Sequence, residues 1–339
     1  MPGVERNGRS RVREQGSAVA WVESPLQLLC AVEARYAGVA GPSTRVVTRG
    51  RLPGLRVTRS ELAALDLPPG LEIETAEDRM PRPGRETTWV LGDAFSGRMQ
   101  FTSLTAAPKR MVVVDDGLAT IRLLELLTAR AGTPLLRARA TPGPARRILG
   151  AAAGLRLRAA ARAGRLTIFT ALPVPAALSE AVRGLGAELV THDFAWLRSQ
   201  PAVAHPRPPE STVVLGTSLV RNGLIHRDRY LSWLFALEGP LAYYPHRRED
   251  PGDLAAVRDH PGVTVYDGGA PVEITLRDLR PGQRVLSLPS TAVTSLRVLL
   301  SARGVPVESV EVPDDWWTPS ATVSLRSHLQ MFAHEGASP

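Results

Sequence analysis

A single cysteine, Cys30, stands among 339 residues, which excludes an internal disulfide framework and any metal site built from several thiolates. That scarcity fits a reducing cytoplasm. Aromatic residues make up only 5% of the chain, too few to line a groove on which successive bases stack. No base-reading motif accompanies the basic residues, so nucleic acid is not an expected partner. No uncharged apolar run reaches membrane-spanning length, which leaves only peripheral membrane contact. The apolar stretch that begins at Ala18 meets Glu23 too soon to serve as a secretory segment. Residues 1–17, polar and Arg-rich, read as a disordered basic tail. Lysine is almost missing too: of 41 basic residues, all but Lys109 are arginine.

The formal charge of +8 admits an anionic substrate or surface, but so lopsided an arginine usage also matches a GC-rich coding sequence. With 44% hydrophobic residues the chain has enough apolar material for a full core, and its length suits two lobes and a cleft. Short β-branched runs alternate with longer helical patterns, the signature of parallel sheets covered by helices. Strands are expected at 18–22, 45–48, 71–74, 88–91, 111–114 and 167–170, with helices at 25–36, 60–65, 98–104 and 118–131. Ser24-Pro25 supplies an N-cap followed by proline at the first helical position. These form a first doubly wound, Rossmann-like domain over 18–200. Within it, 135–166 reads as a basic amphipathic helical segment, with Arg146, Arg147, Arg156, Arg158 and Arg162 among regularly spaced leucines. Residues 145–165 are the place for a peripheral membrane contact, against the alternative of an ordinary solvated helix face.

The proline-rich stretch 201–210 reads as a stiff linker. A second alternating series fills 211–317, with strands at 212–215, 241–244, 263–266, 284–288 and 306–312 and helices at 227–236, 254–258 and 291–302. Residues 318–339 form a C-terminal helix, at about 321–332, and a tail.

Parallel sheets present functional groups at the carboxyl ends of their strands, and four such loops carry chemistry. Val114-Asp115-Asp116-Gly117 delivers two adjacent carboxylates, suited to proton removal, to metal ligation or merely to capping a helix. Tyr244-Pro245-His246-Arg247-Arg248 gathers three cationic candidates able to neutralise a phosphate. Pro289-Ser290-Thr291 places two hydroxyls at a helix N-terminus, where capping and anion binding share one geometry. Pro271-Val272-Glu273 offers a carboxylate for paired ribose hydroxyls, or simply a helix-start acid.

Taken in order, these fragments resemble bacterial GT-B sialyltransferases, above all the lipooligosaccharide sialyltransferase and polysialyltransferase groups. The resemblance runs from Glu23-Ser24-Pro25-Leu26-Gln27 through Leu91-Gly92-Asp93 and Asp115-Asp116-Gly117. It resumes at Leu215-Gly216-Thr217-Ser218-Leu219 and continues through Tyr244-Pro245-His246-Arg247, Pro271-Val272-Glu273 and Pro289-Ser290-Thr291-Ala292. It implies a GT-B fold, two Rossmann-like domains facing a cleft, and an inverting enzyme that needs no metal or other cofactor. The donor would be a CMP-linked sialic acid or related acidic sugar, and the acceptor a glycan or glycolipid. Carried over residue by residue, Asp116 is the general base, with Asp115 positioning or replacing it. His246 stabilises the departing phosphate. Ser290 and Thr291 bind it, Glu273 holds the ribose, and Gly216, Pro245 and Arg247 complete the donor site. Ser24, Gln27 and Asp93 are substrate contacts. The family's histidine is often followed by proline, as in His205-Pro206 and His260-Pro261; His246 is preferred because it ends a strand. Arg221 stands where the family tends to carry an acid, which leaves the sugar open. Two other classes compete: a metal-dependent phosphohydrolase using Asp93, Asp115, Asp116 and His246, and a non-catalytic binding protein that grips its partner through the arginine-rich helix.

Overall fold

The computed structural model describes residues 16–329 apart from 51, 77–79, 138–142, 203–207, 267–268, 324 and 327–328. In the first unit the strands are β1 (Ala18–Val22), β2 (Thr44–Arg49), β3 (Leu71–Ala76), β4 (Thr88–Leu91), β5 (Arg110–Val114), β6 (Leu166–Thr170) and β7 (Glu188–Thr191). Its helices are α1 (Pro25–Tyr36), α2 (Pro53–Ala63), α3 (Gly97–Thr105), α4 (Leu118–Thr128), α5 (Pro144–Arg162), α6 (Ala176–Gly184) and α7 (Ala195–Ser199). The second unit has strands β8 (Thr212–Leu215), β9 (Leu241–Tyr244), β10 (Val263–Val265), β11 (Arg284–Ser287) and β12 (Val307–Ser309). Helices α8 (Arg227–Phe235), α9 (Pro251–Arg258), α10 (Val272–Thr275) and α11 (Thr291–Leu300) cover it.

All pairings in both sheets are parallel. The first sheet has the order β3-β2-β1-β4-β5-β6-β7 and the second β10-β9-β8-β11-β12. Each is therefore doubly wound, and the winding reverses between β1 and β4 in one unit and between β8 and β11 in the other. Ligands bind in the crevice outside such a reversal. The loops leading out of those four strands are Glu23-Ser24, Gly92-Asp93, Gly216-Thr217 and Leu288-Pro289-Ser290, all within the motifs singled out from the sequence.

The central strands are buried on both faces, as covered parallel sheets require. Alternate residues sort accordingly: Ala18, Ala20 and Val22 of β1 join one apolar cluster while Val19 and Trp21 join another. The first of these clusters also contains Val213 and Leu215 of β8 and Val293 and Leu296 of α11, so apolar packing is continuous between the two units.

Four expectations need correction. Helix α2 begins at Pro53 rather than Ser60, because Pro53 is placed at the helix start, where a missing N–H costs nothing. Helix α4 stops at Thr128, short of Ala131. The run 135–166 is not one helical segment, since α5 starts only at Pro144 and Leu135 instead exchanges a backbone bond with Gly150, N to O 3.1 Å. Finally, the first unit continues past β6 through α6, β7 and α7. The Glu33 carboxylate of α1 holds α7 by accepting from Trp196 N at 3.0 Å and Leu197 N at 2.9 Å. The ends of the 201–210 stretch are fastened to the second unit, with Arg277 donating to Pro201 O at 2.7 Å and Gln283 to Pro208 O at 2.9 Å. Residues 1–15 of the basic tail and half of the C-terminal helix expected at 321–332 lie outside the described residues.

Candidate functional site

Val112 and Val114 bury themselves in the core, and the chain leaves β5 with Asp115 and Asp116 at its carboxyl end. The two acids then part company. Asp115 is 3% exposed and spends both oxygens on the fold. Its Oδ1 accepts from Thr120 Oγ1 at 2.6 Å, and its Oδ2 from Thr170 Oγ1 at 2.7 Å and Ala171 N at 3.0 Å. Those bonds tie β5 to the start of α4 and the end of β6. Burial raises its pKa, and these hydrogen bonds oppose the rise.

Asp116 points into the cleft. Its Oδ1 accepts from Ser24 Oγ at 3.2 Å, and its Oδ2 lies 3.6 Å from an Arg137 guanidinium nitrogen. Burial and then the neighbouring negative charge of Asp93 raise its pKa to about 7, opposed by hydrogen bonding from Gln27, the charge of Arg137 and the bond from Ser24. A carboxylate poised there can take a proton at neutral pH without being permanently protonated. The pair thus divides into a brace and a reactive group.

Ser24 does two things at once: its hydroxyl caps α1 by accepting from Gln27 N at 3.3 Å and donates to Asp116. Gln27 Oε1 accepts from Glu23 N at 2.7 Å. Gly92 is required where it stands, since a Cβ there would fall 3.0 Å from Trp21 O and against the Gln27 amide. Asp93 binds Phe95 N at 2.8 Å and the Arg137 guanidinium at 2.7 Å. Arg137, which no sequence motif marks, therefore spans the two cleft carboxylates.

Across the cleft, Gly117 has φ +68°, and a Cβ on it would lie 2.9 Å from Thr291 Oγ1. The acid loop of the first unit thus rests directly on the first residue of α11 in the second. Ser290 has extended backbone at the N-cap position, yet its side chain makes no capping bond to α11. Its hydroxyl lies 3.4 Å from Ser287 Oγ instead. The orphan amides and positive dipole end of such a helix favour an anion. Glu273, 4% exposed in α10, is bonded by Ser295 of α11. Burial raises its pKa, against that bond, and the charge of Asp115 adds to the rise.

The histidine loop is held from beneath. Glu249 accepts from His246 N at 2.9 Å through one oxygen and from the Tyr243 hydroxyl through the other, and Tyr243 contacts the Tyr230 hydroxyl at 2.9 Å. Gly216 leaves room for this clamp, because a Cβ there would lie 2.7 Å from His246 N and 2.9 Å from Tyr243 Oη. His246 Nδ1 accepts from Arg248 N at 3.1 Å, so the neutral ring carries its proton on Nε2. Burial, then Arg247 and Arg248, push its pKa down to about 4. At neutral pH His246 is a neutral hydrogen-bond donor rather than a cation. Burial, then the charge of Arg248, lowers the pKa of Arg247, and the charge of Asp116 opposes this.

The residues singled out from the sequence fall into linked groups: Ser24, Gln27, Asp93 and Asp116 around Arg137, Gly117 against Thr291, Glu273 with Ser295, and Gly216 with the Pro245-His246-Arg247 loop. Arg137, Thr120, Thr170 and Glu249 were not assigned roles there. Thr120 and Thr170, which donate to Asp115, stand five and fifty-five residues from it in elements that the fold brings alongside. Of the acids named for the phosphohydrolase reading, Asp115 accepts from Thr120, Thr170 and Ala171, and Asp93 pairs with Arg137. Among the described residues no three His, Cys, Asp or Glu side chains form a metal-holding group.

Were Asp116 the base of a reaction, it would act only when ionised, and kcat/KM would rise with pH through about 7 and then level off. Arg137→Gln removes a cation that favours the ionised form and should move this limb to higher pH. Asp93→Asn removes the opposing anion and should move it lower. A pH–rate profile of the three proteins checks the order.

No known protein family matches the sequence, and no curated protein matches it. Among solved structures, the chain is similar to TcCGT1 in complex with UDP, with a TM-score of 0.49 and 13% identity over 95% of this chain and 91% of that one. It is also similar to a sialyltransferase from Photobacterium damselae, in the part corresponding to its GT-B domain. There the TM-score is 0.46 and the identity 10%, over 94% of this chain and 97% of that one.

Proposed function

We propose that the chain is an inverting glycosyltransferase of GT-B type. It moves a sialic acid or related acidic sugar from a CMP donor to the hydroxyl of a glycan or glycolipid, with cationic side chains in place of a metal ion. One observation carries this reading: Asp116-Gly117 at the end of β5 lies against Thr291 at the head of α11, so a carboxylate poised near neutrality faces an anion-receiving helix start. The base is thus assigned to the loop that touches the proposed phosphate-binding helix start.

In this arrangement Asp116 takes the proton of the acceptor hydroxyl as its oxygen bonds to the anomeric carbon. The bond from that carbon to the CMP phosphate breaks on the opposite face, which inverts the configuration. The charge left on the phosphate is met by Ser290, Thr291, the first amides of α11 and the Arg247 guanidinium, and His246 Nε2–H donates to it. An approaching phosphate also raises the pKa of that imidazole, so His246 is better suited to following the charge than to holding a permanent cation. Glu273, braced by Ser295, is assigned the ribose hydroxyls, with Gly216 and Pro245 shaping the donor loop. Ser24, Gln27 and Asp93 line the acceptor side.

Calorimetric titration with CMP, UMP and GDP in EDTA tests the donor site without an acceptor. Wild type should bind CMP selectively, and His246→Ala should bind it about tenfold more weakly, the effect of losing one hydrogen bond to a charged group. Absence of CMP binding, or equal binding of all three nucleotides, would defeat the reading.

A further inference from the structure

Helices α3 and α5 lie side by side over one face of the first sheet and run in the same direction. Arg146, in the first turn of α5, bonds Phe95 O and the Gln100 side chain at the start of α3. Ten residues later Arg156 reaches Ser103 O at 3.2 Å and Ala106 O at 3.3 Å, at its end. Arg158 is buried, and its guanidinium donates to Leu126 O at 3.0 Å and Arg130 O at 3.1 Å. Three of the arginines that make α5 look like a basic binding face are therefore clasps within the fold.

The helix pair also turns large apolar side chains outward. Phe101 and Leu104 of α3 are 55% and 41% exposed, and Ile148 and Leu155 of α5 are 70% and 49% exposed. They are four of the seven exposed large hydrophobic side chains among the described residues. Neither helix contains an aspartate or glutamate. Arg147 and Arg162 stand exposed on α5 beside the apolar positions.

We infer that this face docks on an anionic lipid bilayer, with the four apolar side chains entering the interface and Arg147 and Arg162 meeting lipid phosphates. Large apolar side chains gathered on the outer sides of two adjacent helices are the kind of surface that marks an interaction site. The exposed arginines and the absence of acids on both helices match the charge of an anionic leaflet. The position agrees with the proposed chemistry. Helix α3 follows the Asp93 loop, and Arg146 touches Phe95 two residues beyond Asp93, so the docked face borders the acceptor side of the cleft. A lipid-linked acceptor would present its glycan to Asp116 from the bilayer. Only this last link rests on the glycosyltransferase reading.

The test is flotation of the full chain with vesicles of phosphatidylcholine alone or mixed with phosphatidylglycerol, comparing wild type, Phe101→Ser/Ile148→Ser/Leu155→Ser and Arg147→Glu/Arg162→Glu. Wild type should float with the anionic vesicles, and each variant should bind them at least about tenfold more weakly. All three should melt alike and bind CMP alike, which separates this inference from the donor site. The variants keep the Arg-rich residues 1–15, so binding through those would survive the substitutions and overturn the assignment. Failure of wild type to float, equal flotation with neutral vesicles, or a dimer that the apolar variant dissociates would overturn it too.

Discussion

Asp116→Asn is expected to lower kcat by about 10²–10⁴-fold, the range for removing a positioned general base, while calorimetric binding of CMP remains. The amide keeps the size of the carboxylate and can still meet Ser24, so the acceptor side of the cleft retains its shape. What it loses is the ability to accept a proton. Steady-state kinetics with a CMP-linked acidic sugar and saturating acceptor separate the two quantities. A fall in CMP affinity with kcat unchanged would assign Asp116 to donor binding instead.

Its neighbour should behave in another way. Asp115→Ala leaves Thr120, Thr170 and the Ala171 amide without the acceptor they now share. Unpaired buried donors cost about 1–3 kcal/mol each before local rearrangement, so a loss of about 3 kcal/mol or more in denaturant unfolding is expected. Asp115→Asn should cost less, because Oδ1 can still accept from Thr120 while the new amide group faces donors. Adjacent acids in one tripeptide would then show two phenotypes, one kinetic and one thermodynamic. Equal stability of Asp115→Ala and wild type would contradict the bracing role.

That division came from the family resemblance and not from the two residues themselves. Asp115 and Asp116 share composition, position and neighbours along the chain, and only the tertiary placement of Thr170 and Ala171 distinguishes them. Strand ends were more readable. Val112 to Val114, Val213 to Leu215 and Tyr243-Tyr244 form short apolar runs closed by polar or glycine-containing loops, and doubly wound sheets use such ends for ligands. Of the motifs at the two winding reversals, Pro289-Ser290-Thr291 was found for that reason, while Leu91-Gly92-Asp93 and Leu215-Gly216-Thr217 came from the family resemblance.

Elements without such a signature escaped notice. Strand β7, Glu-Leu-Val-Thr, lies at a sheet edge with partly exposed residues and shows little apolar periodicity. Arg137 sits in a non-helical stretch after Leu135, where no local pattern marks one arginine among many. In α5 the arginines were read as a solvated or lipid-facing stripe, whereas Arg146, Arg156 and Arg158 fold inward to backbone carbonyls. Composition reports charge but not where a long guanidinium side chain turns. The exposed Ile148 and Leu155 sat in the same segment, partly hidden among its alanines. Glycines 92, 117 and 216 carried a usable signal, since each follows a strand within one or three residues and each proves to face a side chain or backbone atom that a Cβ would displace.

The most direct test of the account is donor turnover followed by proton NMR, with a CMP-linked acidic sugar, a UDP-linked sugar and a mixture of glycan acceptors, in EDTA. The account predicts release of CMP coupled to a new glycosidic bond of inverted anomeric configuration, abolished by Asp116→Asn. Retained configuration, turnover of the UDP-linked sugar alone, or CMP release indifferent to Asp116 would contradict it.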